Sequence, residues 1–320
     1  MKTKYPNIKI MISLGGWTWS RWFAKAVATD ALRKQLVASC IDVYLKGNLP
    51  LDAGSNSGGN GVAAGVFDGI DIDWEFPGGG GQPYNSVDPN DKQNYTLLLA
   101  EFRKQLDAYG AQNGKRYLLA VAIGVGGDKI ANTDPGQYSK SLDWINAMTY
   151  DYHGGWETNG PTDFQSNLYS DPDSPNMKSA PDNTYYSDKA IRSLLNADVP
   201  SSKIVLGIPL YGRGWTGVTA GPKGDSLYQK ATKEAPGKYE SGIQDYKILK
   251  GSADTVYEHP VTKQSWKYDG STWWSYDSAT TIRVKNNYVK ELNLRGNFAW
   301  ELDGDGPNAE LLNVMREINK

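Results

Sequence analysis

Short apolar segments alternate with stretches of helical periodicity along most of this 320-residue chain. Helical patterns cover about 30–46, 89–109, 188–196, 278–293 and 307–318. Six apolar segments between them have the composition and length of buried strands: 8–14, 66–73, 117–123, 144–150, 203–210 and 297–302. This alternation is typical of an α/β protein whose parallel sheet is covered by helices on both faces.

The helix over 89–109 has the clearest signals at its two ends. Apolar side chains such as Tyr95, Leu98 and Phe102 recur on one of its faces. Pro89 follows Asp88 at its start, and Gly110 stands where a terminating glycine is expected. We therefore predict that this helix ends at Gly110.

Residues 216–272 interrupt the alternation of strands and helices. They contain little helical periodicity, and the runs 255–258 and 265–268 alternate as strands do. We predict that 216–272 form a small α+β insertion domain. Residues 1–215 and 273–320 would then form one large α/β domain.

Charge and composition argue against several classes of function. With 34 basic and 36 acidic residues the net charge is −2, which favours neither a nucleic-acid interface nor a membrane-surface patch. No apolar run reaches the ~20 residues of a membrane span, and the first residues lack a signal-peptide pattern. Tyr and Trp far outnumber Phe, and aromatic rings with a polar tip suit surfaces that stack on sugars.

The segment FDGIDIDWEFP (67–77) concentrates acidic residues at the end of a predicted strand. On a strand over 66–75, Asp71, Asp73 and Glu75 point to the same face, because side chains alternate. Like charges this close cannot all ionise freely, so at least one proton is retained to near-neutral pH, as a general acid requires. The alternatives are a solvated surface strand and a divalent-metal site, although the chain has only two histidines and no second acidic cluster.

DGIDIDWE (68–75) resembles the DGxDxDWE motif of the family-18 glycoside hydrolases, the chitinases. The same family's other strand motifs are matched in order by SLGGW (13–17), MTYD (148–151), GIPLYGR (207–213) and AWELD (299–303). The resemblance implies a TIM (β/α)8-type barrel with an α+β insertion that walls a substrate groove. SLGGW is the third strand of this family, so we expect a barrel that lacks its first two βα units, ~60 residues, and keeps about six strands.

The resemblance also assigns roles to individual residues. Glu75 would protonate the glycosidic oxygen and then activate water, Asp73 would orient the acetamido group of the substrate, and Asp71 would share a proton with Asp73. Tyr150 would donate a hydrogen bond to the same acetamido group. Trp300 would form the floor under the cleaved sugar and Trp17 a stacking platform, and the remaining residues that line the subsites would be Met148, Asp151, Tyr211 and Arg213.

The function that these roles imply is a chitinase that acts on chitin or N-acetylglucosamine oligomers. Its nucleophile would be the acetamido carbonyl of the substrate, with retention of configuration and without metal or cofactor. The resemblance further implies a secreted protein. The alternatives are a chitin-binding lectin without catalysis and an endoglycosidase that acts on N-glycans. The absent strands would leave two sheet edges exposed. We expect either that copies of the chain associate through these edges or that the barrel is open, partly rearranged and weakly active.

Overall fold

The computed structural model describes residues 1–179, 185–252 and 254–319. Its strands are β1 Met11–Gly15, β2 Leu49–Asp52, β3 Ser57–Gly59, β4 Gly69–Asp73, β5 Leu118–Gly124, β6 Trp144–Met148, β7 Ile204–Pro209, β8 Tyr211–Thr216, β9 Lys233–Glu234, β10 Ile243–Asp245, β11 Thr255–Glu258, β12 Ser265–Tyr268, β13 Trp273–Tyr276 and β14 Gly296–Trp300.

The α-helices are α1 Phe23–Ala26, α2 Asp30–Cys40, α3 Asp91–Asn113, α4 Gly127–Ala131, α5 Pro135–Tyr138, α6 Pro175–Ser179, α7 Ser187–Asn196, α8 Tyr246–Leu249, α9 Ala279–Glu291 and α10 Glu310–Met315. A π-helical turn, Ile41–Leu45, continues α2. Within the part of the chain that the structure describes, no helix is both long and apolar enough to cross a membrane.

The principal sheet has six strands in the order β1-β4-β5-β6-β7-β14. The pairs β1–β4, β4–β5 and β7–β14 are parallel. These are the six strands that the apolar segments predict, and the six-stranded α/β architecture is confirmed. A second, antiparallel sheet has the order β10-β8-β13-β12-β11, with β9 paired to β8, and β2 and β3 form a hairpin.

By compactness the chain divides into two units. The first comprises 1–124, 128–146 and 197–203, and the second comprises 125–127, 147–196 and 204–320. This division does not follow the predicted domain boundaries, so the insertion over 216–272 stays a prediction. The antiparallel sheet belongs to the second unit, and its strands lie between Tyr211 and Tyr276.

The core of the first unit contains the apolar face of α3. Its side chains Tyr95, Leu98 and Phe102 are buried, as the periodicity predicts. The ring of Trp74 stacks on Phe23 at 5.3 Å between centroids and meets the edge of Tyr95 at 5.9 Å. Trp74 therefore belongs to the core that supports the end of β4.

The prediction that α3 ends at Gly110 is wrong. The helix continues to Asn113, and Gly114 follows it in the left-handed conformation with φ 67°. Gly110 is instead buried inside the helix, and the backbone at Lys115, just after the helix, passes close to it. A Cβ at this position would overlap the carbonyl oxygen of Lys115.

The core of the second unit contains a cluster of aromatic rings. Trp215, Trp266 and Trp273 lie on β8, β12 and β13 of the antiparallel sheet, and Phe164 packs against Trp266 and Trp273; all four are buried. The same unit also contains a buried ion pair, in which Lys285 Nζ lies 2.7 Å from Asp277 Oδ2.

The two outer strands of the principal sheet, β1 and β14, pair on one side only among the described residues. Most of their residues are half-buried. Both strands therefore offer backbone groups for further pairing. The predicted association of copies through these edges stays a prediction.

Candidate active site

Asp71 and Asp73 occupy the carboxyl-terminal half of β4, as the acidic motif predicts. Asp71 is paired across to Ser13 on β1 and Ala120 on β5, and Asp73 to Gly15 and Ala122. Being two residues apart on one strand, the two carboxylates project on the same face of the sheet. These four neighbours on the adjoining strands all have small side chains or none.

The prediction of a strand over 66–75 is wrong at both ends, because β4 begins at Gly69 and does not reach Glu75. β4 ends at Asp73, and Trp74 and Glu75 continue the chain outside the ladder. Glu75 therefore stands just beyond the carboxyl end of the strand, in the position where active-site residues of parallel barrels are found. Its side chain is half-buried.

Asp71 is held by two hydrogen bonds. Ser13 Oγ donates to Asp71 Oδ2 at 2.8 Å, and Asn146 Nδ2 donates to Asp71 Oδ1 at 3.3 Å. Burial raises the pKa of Asp71, and the two hydrogen bonds lower it in part because they favour the ionised carboxylate. Asp71 is thus the more strongly hydrogen-bonded partner of the acid pair.

Asp73 is more isolated than Asp71. Its side chain is buried, and its Oδ1 accepts no hydrogen bond from the residues that the structure describes. Burial, with a further contribution from the charge of Asp71, raises the pKa of Asp73 to about 7. Asp73 therefore holds a proton through the acidic range and can release or share it near neutrality, which is the property that the sequence pattern predicts.

The second unit gathers polar residues after β6 and on β8. Asp151 has φ 58° and follows Tyr150, whose ring meets the edges of Tyr211 and Phe298. The carboxylate of Asp151 accepts hydrogen bonds from Tyr211 Oη at 2.8 Å and from Arg213 Nε at 2.7 Å.

This arrangement fixes three of the predicted substrate-binding side chains against one another. The guanidinium of Arg213 also lies over the ring of Trp156, 5.1 Å from its centroid. Sequence reasoning did not single out this Arg–Trp contact, which brings together two residues 57 positions apart.

The remaining predicted residues lie at strand ends or on loops. Met148 is the last residue of β6, Trp300 is the last residue of β14, and Trp17 follows β1. The indoles of Trp17 and Trp300 are 49% and 53% exposed, so both rings are accessible to a ligand. Of the ten predicted site residues, four lie in the first unit (Trp17, Asp71, Asp73 and Glu75) and six in the second (Met148, Tyr150, Asp151, Tyr211, Arg213 and Trp300).

The family model for the glycosyl hydrolases family 18 matches residues 1–305. The chain belongs to glycosyl hydrolases family 18. Chitinase A1 of Niallia circulans is 38% identical over 329 aligned residues, which cover 99% of this chain and 43% of that protein. Chitinase 63 of Streptomyces plicatus is 36% identical over 98% of this chain and 46% of its own length.

Solved structures agree with this membership. The catalytic domain of the psychrophilic chitinase B from Arthrobacter TAD20 superposes with a TM-score of 0.92 at 46% identity, covering 99% of this chain and 71% of that one. This family-18 chain spans slightly less than half the length of the two curated relatives. The family resemblance and the TIM-type α/β fold that the motifs predict are both confirmed.

Several side chains that hold the acidic motif were missed from the sequence of this family-18 chain. Ser13 and Asn146 bind Asp71, and Ser20 and Asn85 hydrogen-bond to the backbone of Glu75. Ser13 belongs to the SLGGW motif on β1. Its contact with Asp71 could have been inferred by pairing this strand with the strand that carries the acidic motif. The other three lie 10 to 75 positions from their partners and have no local signal.

Proposed function

We propose that this chain hydrolyses β-1,4 linkages between N-acetylglucosamine units of chitin and its oligomers. Its membership of family 18 and the names of its relatives, which are chitinases, support this substrate. The observation that carries the proposal is the acidic row, formed by Asp71 and Asp73 at the end of β4 and by Glu75 just beyond it. Burial raises the pKa of Asp73, two residues before Glu75, to about 7. Such a row supplies a proton donor and a group that can orient an amide.

In the proposed reaction Glu75 gives its proton to the glycosidic oxygen while the bond from that oxygen to C1 breaks. The carbonyl oxygen of the substrate's own acetamido group bonds to C1 from the opposite side and forms an oxazolinium ion. Glu75, now a carboxylate, takes a proton from water, and the water oxygen replaces the acetamido oxygen at C1. Two displacements retain the anomeric configuration.

The pair of aspartic acids fits the remaining roles in this scheme. Asp73 is to orient the acetamido group, and Asp71, which Ser13 and Asn146 hold, is to share a proton with Asp73. Because the pKa of Asp73 is raised to about 7, a proton is available to the pair without high acidity. The roles of Tyr150, Met148 and the other predicted binding residues stay predictions.

No metal enters this scheme. Within 1–179, 185–252 and 254–319, no three His, Cys, Asp or Glu side chains are grouped as a metal site needs. Since chitin is an insoluble polymer, we propose that the protein acts outside the cell that makes it. Detection of the protein in the culture medium of its host would test that placement.

The proposal is tested by incubating the protein with the N-acetylglucosamine tetramer and with the glucose tetramer. We expect hydrolysis of the first, with β-anomeric products at the earliest times, and a negligible rate with the second because it lacks the acetamido nucleophile. α-Anomeric first products, or comparable rates on both tetramers, would contradict substrate assistance. Binding of the first tetramer without any hydrolysis would support the lectin alternative instead.

A further inference from the structure

The peptide that carries Glu75 lies outside the hydrogen-bonded ladder of the principal sheet. The pairing of β4 with β1 and with β5 ends at Asp73 on both sides. The strand pairing among the described residues therefore does not extend to the backbone N–H and C=O of Glu75. Buried backbone polar groups need other partners, and the partners found here are side chains.

Ser20 provides the first of these partners, from the loop between β1 and α1. Its side chain is completely buried. Ser20 Oγ accepts the N–H of Glu75 at 2.9 Å, and its own proton is shared between the carbonyls of Gly16 at 2.8 Å and Asp73 at 3.2 Å. One hydroxyl thus ties the last residue of β4 to the residue two positions later.

Asn85 provides the second partner, from the loop between β4 and α3. Its Nδ2 donates to the carbonyl oxygen of Glu75 at 2.9 Å. Gly81 packs against the same carbonyl so closely that a Cβ there would overlap the oxygen. The C=O of Glu75 is therefore enclosed by one donor and by a stretch of backbone that has no side chain.

We propose that Ser20 and Asn85 are positioning residues for Glu75: they fix its backbone from both sides and so aim its carboxyl group. The proposal rests on the role of Glu75 as acid/base given above. Both the N–H and the C=O of this residue are anchored, so its backbone dihedral angles have little freedom. This matters because a displacement of 1 Å in a catalytic group can cost about 100-fold in rate.

The first test compares Ser20→Ala and Asn85→Ala with Ser86→Ala. Ser86 Oγ donates to the carbonyl of Arg21 at 2.7 Å, so the control also removes a side-chain hydrogen bond between the same two loops, without touching Glu75. We expect kcat on the N-acetylglucosamine tetramer to fall about 10-fold or more in Ser20→Ala and in Asn85→Ala, while KM changes less than about threefold. Ser86→Ala is expected to stay within about twofold of the wild type in both constants.

The second test does not depend on turnover. Amide hydrogen exchange of a peptide that covers 73–77 should quicken in Ser20→Ala, because the N–H of Glu75 loses its acceptor, and should be unchanged in Ser86→Ala. Should Ser20→Ala fail to fold, Asn85→Ala, in a half-buried loop position, carries the kinetic test.

The outcomes separate this proposal from the proposed function. Unchanged kcat and unchanged exchange in Ser20→Ala, in a protein that Glu75→Gln inactivates, would overturn the positioning role and leave the function intact. A wild-type protein without hydrolysis would overturn the function, and the exchange of the Glu75 amide would still decide whether Ser20 anchors this peptide. A fall in kcat shared by Ser86→Ala would indicate general loop damage and would also overturn the positioning role.

Discussion

Replacing Asp73 by Asn should change how the stability of the fold depends on pH. In the folded protein the pKa of Asp73 is raised from 3.8 to about 7, because the carboxyl group is buried beside Asp71. Between about pH 4 and pH 7 the folded state therefore binds more protons at this site than the unfolded state. Stability falls as pH rises wherever the folded state binds more protons, so the wild type loses stability across this window.

The magnitude follows from the rise in pKa. A rise of about 3 pH units at about 1.4 kcal/mol per unit gives about 4 kcal/mol lost by pH 8. Asp71 titrates together with Asp73, so replacing Asp73 alone removes only part of this pH-dependent change in the free energy of unfolding. We expect that part to be about 2–4 kcal/mol. Asp73→Asn cannot ionise, so it should be more stable relative to the wild type at pH 8 than at pH 4 by this amount.

The assay is urea unfolding of both proteins at pH 4, 5, 6, 7 and 8. Burying the Asn amide changes the free energy of unfolding by the same amount at every pH, so this change cancels when the difference between the two proteins is compared across pH values. Asp107→Asn serves as the matched control, because the Asp107 side chain is 57% exposed on α3 and solvent screens its ion pair with Arg103, so the substitution should change stability little. Parallel stability curves for wild type and Asp73→Asn, within about 0.5 kcal/mol at every pH, would refute the reasoning.

Three further predictions concern metal, packing and assembly. Prolonged treatment with EDTA should leave hydrolysis of the tetramer unchanged, and a loss of activity that divalent ions restore would contradict the metal-free scheme. Lys285→Met should lower the free energy of unfolding in urea by about 3–5 kcal/mol, because it leaves the carboxylate of Asp277 buried without its cation; a loss below about 1 kcal/mol would contradict this. Light scattering coupled to gel filtration should show association that grows with concentration, because β1 and β14 each pair on one side only among the described residues. A monomer at all concentrations would show that these edges do not associate.

The six strands of the principal sheet could be predicted because each is a short apolar run between helical patterns. The acidic row could also be predicted, since period-two spacing of Asp71 and Asp73 is a local property of one strand. The end of α3 was misplaced because the sequence offers two glycines there, Gly110 and Gly114, and only the second takes the left-handed conformation that ends the helix.

The distant residues that hydrogen-bond to the acidic row could not be predicted from the sequence either. Ser20 lies 55 positions from Glu75, and Asn146 lies 75 positions from Asp71. Ser20 stands in a loop with no periodicity, where its hydroxyl has no visible partner until the chain folds. The acidic residues cluster in a short motif here, whereas the residues that hold them come from two other strands, where Ser13 and Asn146 lie, and from two loops, where Ser20 and Asn85 lie.

The central claim, that Glu75 is the acid/base of a chitinase, is tested most directly by measuring turnover and binding side by side in Glu75→Gln. The substitution keeps the size of the side chain and removes its transferable proton. We predict that kcat on the N-acetylglucosamine tetramer falls by about 10²–10⁴-fold, while the Kd from calorimetry stays within about threefold. Glu291→Gln, the same change on an exposed side chain at the end of α9, should leave both unchanged. A Glu75→Gln protein that retains more than about a tenth of the wild-type rate would contradict the claim.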